Sequence, residues 1–222
     1  MMRALSQSLV FDSAIPAHAV AALRTDIIAS PPKSDGTQWY AFGPPRFAFE
    51  QTIQHLRRLV PGDFAGAEWW YRATTTDAGF PFHFDRDEGI RSSVVPPTVT
   101  SILYLSNAGG PTVFLDATPT RSTPSAGIAV HPRAGRFIIC PGALLHGVLP
   151  VPSSRWPRVT MLINWWRSVP RMEPAAAQRG WTRASGSWRA KPRPALLDAI
   201  DPTDLMTKAA WRDLIRKQAT YR

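Results

Sequence analysis

The sequence is poor in cysteine, since Cys140 is the only one among 222 residues. A single thiol excludes a disulfide framework within the chain and any zinc site built from several thiolates. A chain of this kind suits a reducing compartment, so we expect a cytoplasmic protein in which Cys140 is a buried packing residue. Long apolar runs are also missing, and we expect neither a signal peptide nor a membrane-spanning segment.

Acidic residues are few, at 16 Asp and Glu against 26 Lys and Arg, and the formal net charge is +10. The excess is concentrated in residues 167–193, where seven basic residues face the single acid Glu173. We favour a solvated, irregular surface segment there. The alternative is a nucleic-acid or acidic-partner surface, in which Trp181 and Trp188 would stack on bases. The same two rings would equally suit a tail that packs back onto the domain.

The 22 prolines argue against long helices and for short strands and loops. Apolar spacing predicts helices at 16–29 and 47–60, joined by a Pro/Gly-rich connector at 31–46, and a last helix at 202–217 capped by Asp201. Between them the hydrophobic period changes to two. The predicted strands are residues 68–74, 80–85, 99–106, 112–116, 127–131, 136–140, 145–148 and 158–166.

Many short strands behind a helical lead-in predict a mainly β fold, a closed jelly-roll barrel with flanking helices. We expect one domain with three parts. Residues 1–62 form the helical lead-in, 63–167 the barrel, and 168–222 a basic helical or irregular extension.

One short segment, Phe82–His83–Phe84–Asp85, combines metal-binding and apolar side chains in alternation. In a strand, residues two apart point to the same face, so His83 and Asp85 present an imidazole and a carboxylate side by side. His146 follows an apolar run and sits at the start of a predicted strand. Two histidines and one carboxylate form the facial triad of non-haem iron sites, which leaves open positions for a chelating 2-oxo acid and O2. Asp87 has the same parity and is the rival carboxylate.

A 2-oxo acid also requires a basic group for its far carboxylate. Arg158 opens the last barrel strand and shares a face with Thr160, so a guanidinium and a hydroxyl can meet one carboxylate together. On the strand at 99–106, Thr100 and Tyr104 share a face in the same way, and Tyr104 could donate to that carboxylate too. We therefore expect Arg158, Tyr104, Thr160 and Thr100 to bind the co-substrate. Arg155, in the preceding loop, is the rival anchor.

The segments HFD, TSILYLSNAGGPTVF, CPGALLHGVLPV and RVTMLINWW together resemble the 2-oxoglutarate/Fe(II) oxygenase superfamily, closest to its prolyl-4-hydroxylase-like branch. The resemblance covers about residues 67 to 167 and implies a double-stranded β-helix. It implies that His83, Asp85 and His146 bind Fe(II).

By the same resemblance, Arg158 binds 2-oxoglutarate, with Tyr104 and Thr160 as helpers. O2 is then the second co-substrate, with ascorbate as a candidate reductant. The implied reaction is hydroxylation of a C–H bond in a small-molecule, amino-acid or peptidyl substrate, with release of succinate and CO2.

Two other functions stay open. The run HFDRDE also resembles nucleic-acid demethylases of the AlkB type, in which Asp87 and Glu88 would lie near the substrate. That branch carries a second arginine six residues after the anchor, where this chain has Asn164. The other is a cupin-like protein that binds a metal and an acidic ligand without turnover. The sequence identifies neither the substrate nor the oligomeric state, and we expect residues 86–98, 117–126 and the tail from Arg167 to line the substrate site.

Overall fold

The computed structural model describes residues 5–29, 36–75, 79–120, 123–151, 155–171 and 181–219. Its helices are α1 (Ala17–Ala29), α2 (Ala48–Leu56) and α3 (Lys208–Ala219). Its strands are β1 (Leu9–Asp12), β2 (Gln38–Tyr40), β3 (Gly66–Thr74), β4 (Phe80–His83), β5 (Val99–Tyr104), β6 (Thr112–Leu115), β7 (Gly127–Val130), β8 (Phe137–Pro141), β9 (Leu145–Val148), β10 (Arg158–Trp166), β11 (Arg193–Pro194) and β12 (Asp198–Ile200).

The strands form two antiparallel sheets. The larger has the order β11-β1-β8-β5-β10-β3-β2, and the smaller has the order β12-β7-β6-β9-β4. Buried apolar side chains of both sheets pack together, with Ile102 and Ile138 from the larger against Phe114 and Ile128 from the smaller. The mainly β barrel expected from the sequence is therefore confirmed.

Helices cover the outer face of each sheet. Residues of α1 and α2, such as Leu23 and Ile53, pack with the outward side chains of β3 and β10, including Trp69 and Met161. Helix α3 packs behind the smaller sheet through Trp211 and Ile215. Among the described residues, no helix has the length and apolar character needed to cross a bilayer.

The eight predicted strands all appear, with small differences at their ends. The predicted strand at 80–85 ends at His83, so Asp85 lies in the segment that follows β4. The helix predicted at 202–217 divides into a 3-10 turn, Pro202–Asp204, and α3. Asp201 caps the turn, since its side chain accepts a hydrogen bond from the Thr203 N–H.

Four short strands were not predicted: β1, β2, β11 and β12. β2 lies within the segment 31–46 that was expected to be a connector. β1 pairs with β8 in the larger sheet, β11 pairs with β1, and β12 pairs with β7 in the smaller sheet. The two sheets thus take strands from both sides of residues 63–167.

The basic tail packs against the domain where it is described. Trp181 is buried and contacts Phe47, Phe49, Trp69 and Tyr71. Its ring is therefore not available to stack on a base. Residues 172–180, within the basic segment, lie outside the described residues.

Candidate metal centre

His83, Asp85 and His146 lie together at the facing edges of β4 and β9, with one ligand atom from each within 4.8 Å of the others. His83 and His146 are paired residues of the two strands. Asp85 Oδ1 lies 3.6 Å from Nε2 of His83 and 3.6 Å from Nε2 of His146. Two imidazole nitrogens and one carboxylate oxygen therefore converge on one point.

Both imidazoles are oriented by backbone carbonyls. His83 Nδ1 lies 2.9 Å from the Pro81 carbonyl oxygen, and His146 Nδ1 lies 3.0 Å from that of Leu144. A carbonyl only accepts, so each ring carries its proton on Nδ1 and turns the Nε2 lone pair inwards. His146 Nε2 is buried and has no hydrogen-bond partner among the described residues. A metal ion at the point of convergence would satisfy this atom, so the donor set fits one.

The charges of the cluster favour a cation. Burial opposes the charge on Asp85, but His146, His83 and the Thr100 hydroxyl outweigh it and hold the pKa of Asp85 well below its usual range. Burial also lowers the pKa of His146. Burial acts the same way on His83, but its contacts with Asp85 prevail and raise the pKa. Near neutral pH, Asp85 is thus a carboxylate and His146 a neutral imidazole, the forms in which both bind metals.

Thr100 belongs to the metal cluster and not to the basic end of the barrel. Its hydroxyl oxygen lies 2.9 Å from Asp85 Oδ2 and 2.9 Å from Asn164 Oδ1. The sequence pattern predicts it, with Tyr104, as a residue of the co-substrate site. The two do share a face of β5, but they are four residues apart, or about 13 Å along a strand.

Arg158 lies at the other end of this inner face. Its Nη2 donates to Thr112 Oγ1 at 2.8 Å, and its Nη1 lies 3.4 Å from Thr160 Oγ1. Its buried Nε has no hydrogen-bond partner among the described residues. Burial lowers the pKa of this guanidinium, although it remains a cation because the starting value is so high. A carboxylate would supply the missing acceptor and counter-charge.

Tyr104 supports Arg158 and does not present a free hydroxyl. The guanidinium carbon lies 5.4 Å from the centre of the Tyr104 ring, and the Tyr104 hydroxyl donates to Thr112 Oγ1 at 2.7 Å. Thr112 therefore accepts hydrogen bonds from both residues, a role that was not predicted. The feature that could have indicated it is its place after Gly109–Gly110–Pro111, in a segment that carries the family resemblance.

One cavity joins the two ends. It is lined by Arg158, Thr160 and Thr112 on one side and by His83 and His146 on the other, with Ile102, Leu162 and Trp70 between them. Trp70 faces this interior while its neighbour Trp69 is buried in the outer core, as expected for adjacent strand residues. The space between the two histidines and the Arg158 guanidinium is thus lined by apolar side chains and by a second arginine, Arg72.

A second cavity borders His83 and Asp85. It is lined by Glu68, Trp70 and Arg72 of β3, by Asn164, and by Arg86 and Glu88. Arg86 and Glu88 come from the expected segment 86–98. Glu68 and Arg72 of β3 were not among the residues expected here, and the described part of 117–126 does not line this cavity.

The rival residues lie elsewhere. Asp87 is buried, but its carboxylate accepts hydrogen bonds from the N–H groups of Gly89 and Arg171, and it is not part of the three-residue cluster. Arg155 is exposed, with its guanidinium over the Trp156 ring. His131 is exposed and lies 3.9 Å from Asp198. His18 and His55 contact Trp188.

No protein-family model matches the chain, and no curated protein matches it. Among solved structures, a prolyl-4-hydroxylase from Pseudomonas putida is similar with a TM-score of 0.52 and 19% sequence identity, over 73% of this chain and 87% of that chain. HygX from Streptomyces hygroscopicus, solved with nickel and 2-oxoglutarate bound, gives a TM-score of 0.48 at 14% identity, over 82% and 92%. A viral collagen prolyl hydroxylase from Paramecium Bursaria Chlorella virus-1 gives 0.48 at 17%, over 73% and 90%.

The first of these similarities shows a shared fold. The resemblance to the prolyl-4-hydroxylase-like branch that the sequence indicated is thereby confirmed in its architecture.

Proposed function

We propose that this chain is an Fe(II)- and 2-oxoglutarate-dependent dioxygenase that hydroxylates a C–H bond of a small-molecule, amino-acid or peptidyl substrate. The observation that carries the proposal is a cavity lined at one end by Arg158, which can bind a carboxylate, and at the other by His83 and His146, which form a three-residue cluster with Asp85. This donor set, with open positions, is typical of non-haem Fe(II) oxygenases. The fold shared with a prolyl-4-hydroxylase agrees with it.

The metal-cluster residues and the Arg158 end of the cavity have separate roles. His83, Asp85 and His146 would hold the iron through Nε2, Oδ1 and Nε2. Arg158 would bind the far carboxylate of 2-oxoglutarate through its fork, with Thr160 beside it and Thr112 holding the guanidinium in place. The apolar walls would exclude water and so strengthen the charged contacts at both ends.

Bound Fe(II) would supply O2 activation. In the overall reaction, 2-oxoglutarate and O2 yield succinate and CO2, and one oxygen atom is inserted into the substrate C–H bond. The protein would hold the co-substrate at a fixed distance from the cluster, because Arg158 lies on β10 of the larger sheet while His83 and His146 lie on β4 and β9 of the smaller sheet, and the two sheets pack together. The second cavity, beside His83 and Asp85, would admit the substrate.

A nucleic-acid substrate is the weaker candidate. The buried Trp181 is unavailable for base stacking, and the carboxylate of Asp87 is bound by two backbone N–H groups. Asn164 stands where the demethylase branch carries its second arginine, and it contacts Thr100.

Succinate formation from 2-oxoglutarate tests the proposal without knowledge of the substrate, because such enzymes turn over slowly when uncoupled. We expect protein purified without oxygen and supplied with Fe(II) to form succinate once O2 is admitted. Asp85→Ala should abolish this activity, since it removes the charged metal ligand. Asp87→Asn is the matched control and should retain it.

Two results would contradict the proposal. Succinate formation by Asp85→Ala at the level of the unaltered protein would mean that the cluster is not the metal site. If the protein binds iron stoichiometrically but forms no succinate, even across a broad substrate screen, the cupin-like alternative, which binds a metal and an acidic ligand without turnover, would be favoured.

A further inference from the structure

Three buried polar side chains form a row across the larger sheet, beneath the metal cluster. Glu68 of β3 is paired with Asn164 of β10, and Asn164 is paired with Thr100 of β5. All three are at most 5% exposed. Buried polar groups are costly unless they are satisfied, so the hydrogen bonds within this row are strongly constrained.

The row ends on the carboxylate of Asp85. Oδ1 of Asp85 faces the two imidazole nitrogens, whereas Oδ2 lies 2.9 Å from the Thr100 hydroxyl oxygen. The two oxygens therefore have different surroundings. A donor held against Oδ2 prevents the carboxylate from rotating about its Cβ–Cγ bond and keeps Oδ1 directed at the metal position.

The Thr100 hydroxyl has one proton but two acceptors within reach. Asp85 Oδ2 and Asn164 Oδ1 both lie 2.9 Å away, and one proton serves only one of them fully. The oxygen and nitrogen of an amide are assigned from their surroundings. If the amide is turned so that its NH2 donates to Thr100, the hydroxyl proton is committed to Asp85, and that bond gains strength from the charge of its acceptor.

In this orientation the amide oxygen of Asn164 needs a hydrogen-bond donor, and Glu68 can be that donor. As the amide stands, Asn164 donates a hydrogen bond to Glu68; the turned amide would direct its oxygen at Glu68 instead. Glu68 also accepts a hydrogen bond from Trp166 Nε1 at 3.0 Å. A protonated Glu68 can donate to that amide oxygen, and burial raises the pKa of Glu68 to about 7. In this arrangement every polar group of the row has a partner.

We propose that Asn164 and Thr100 are positioning residues for Asp85, with Asn164 acting through the Thr100 hydroxyl to fix the carboxylate for metal binding. The inference rests on the proposed function only in taking the three-residue cluster as a metal site.

Metal affinity, measured apart from turnover, tests the proposal. Co(II) is titrated into the full-length metal-free protein without oxygen, and binding is followed by calorimetry and by the visible absorption of the bound ion. We expect Thr100→Val to weaken Co(II) binding by about 10-fold to 100-fold, the usual effect of removing a group that orients a ligand. Thr100→Ser keeps the hydroxyl and should restore most of the affinity and the wild-type spectrum.

A double-mutant cycle tests whether Asn164 acts through Thr100. Asn164→Leu should weaken Co(II) binding, and adding it to Thr100→Val should cause little further loss. The matched control is Ser101→Ala on the same strand. Ser101 is equally buried and loses a comparable pair of hydrogen bonds, to Trp165 Nε1 and the Ile163 carbonyl, but it faces away from the cluster. Its Co(II) affinity should equal that of the unaltered protein.

Each other outcome overturns the proposal. Wild-type affinity in folded Thr100→Val would mean that the hydroxyl does not position Asp85. Additive losses in the double variant would mean that Asn164 acts independently, and an equal loss in Ser101→Ala would reveal a general effect of destabilisation. Failure of the unaltered protein to bind Co(II), or equal binding by Asp85→Ala, would instead remove the metal site and with it the proposed function.

Discussion

At the scale of single residues, the inner face of the larger sheet has opposite polarity at its two ends. Arg158 and Thr160 lie at one end, and Asn164 and Glu68 lie at the other. Leu162 and Ile102 separate them. A dicarboxylic acid that spans the interval would meet the guanidinium at one end and the metal at the other, so the spacing of these residues selects its length.

Removal of the guanidinium should impair co-substrate binding. We expect Arg158→Ala to raise the dissociation constant of 2-oxoglutarate by at least about 30-fold, because truncating one side of a buried charge pair costs 2 kcal/mol or more. The measurement is a 2-oxoglutarate titration of the Fe(II)-loaded protein without oxygen. The exposed Arg155 provides the control, since Arg155→Ala should bind normally. If Arg155→Ala weakened 2-oxoglutarate binding and Arg158→Ala did not, Arg155 would be the anchor.

Gly109 fixes the stem of Arg158 by leaving room for it. A Cβ at this glycine would lie 2.5 Å from Arg158 Cδ, and its φ of +93° is unfavourable for other residues. Gly109→Ala should displace the arginine and weaken 2-oxoglutarate binding about tenfold, given a strain of about 1–3 kcal/mol. Co(II) binding should be unaffected.

The control for this change is Gly186→Ala. Gly186 also has a positive φ, +60°, but a Cβ there meets nothing within 4 Å. It imposes backbone strain without touching Arg158. Equal loss of 2-oxoglutarate binding in both variants would show that strain alone, and not crowding of the arginine, is responsible.

At the scale of elements, the metal cluster depends on the pairing of β4 with β9. The pairing sets His83 opposite His146, with an irregularity in register between Phe80 and His83. A slip of one residue would turn His83 to the other face of the sheet. α3 secures the back of this pair, because Trp211 contacts Phe82 at 5.0 Å between ring centres and donates to the Pro202 carbonyl.

Loss of the Trp211 ring should therefore destabilise the fold and loosen the metal site. We expect Trp211→Ala to lower the free energy of unfolding by about 3–5 kcal/mol, as for other fully buried large side chains. Trp211→Phe keeps the ring contact and should lose less. Urea unfolding measures both. A loss below about 1 kcal/mol in Trp211→Ala would mean that α3 unfolds separately from the barrel.

At the scale of the whole molecule, the chain carries excess positive charge on its surface and two buried acidic side chains, Glu68 and Asp85, inside the barrel. Exposed basic residues dominate the tail, whereas Glu68 and Asp85 lie inside. The surface and the interior therefore respond differently to pH. Burial favours the neutral form of Glu68, and its folded-state pKa of about 7 lies above the value of 4.5 expected in the unfolded chain.

The sign of this difference predicts how stability depends on pH. The folded state holds the Glu68 proton more tightly, so its contribution is complete below about pH 4.5 and is lost as the pH rises through about 7. The shift corresponds to about 3 kcal/mol. Glu68→Gln should remove this decline. Urea unfolding of both metal-free proteins between pH 5 and 8 measures the difference, and parallel profiles would contradict the prediction.

The sequence by itself determined the local chemistry. A period of two in 158–166 placed Arg158 beside Thr160, because strand geometry depends only on near neighbours. The same period predicted that His83 and Asp85 lie together, and they do, although β4 ends at His83 and Asp85 lies just beyond it. The capping role of Asp201 was also predictable from the sequence, since it depends on residues within the same turn.

Tertiary structure alone decided which distant residues meet. Thr112 contacts Arg158, and Asn164 joins Glu68 to Thr100, through cross-strand registers that no local pattern specifies. The two-residue β11 and three-residue β2 and β12 are too short to show a period, and they form because a sheet edge offers them partners. For the same reason, the sequence pattern did not predict the contact of Thr100 with Asp85. Parity gives the side of a sheet that a residue faces, whereas the packing of the second sheet decides what it meets there.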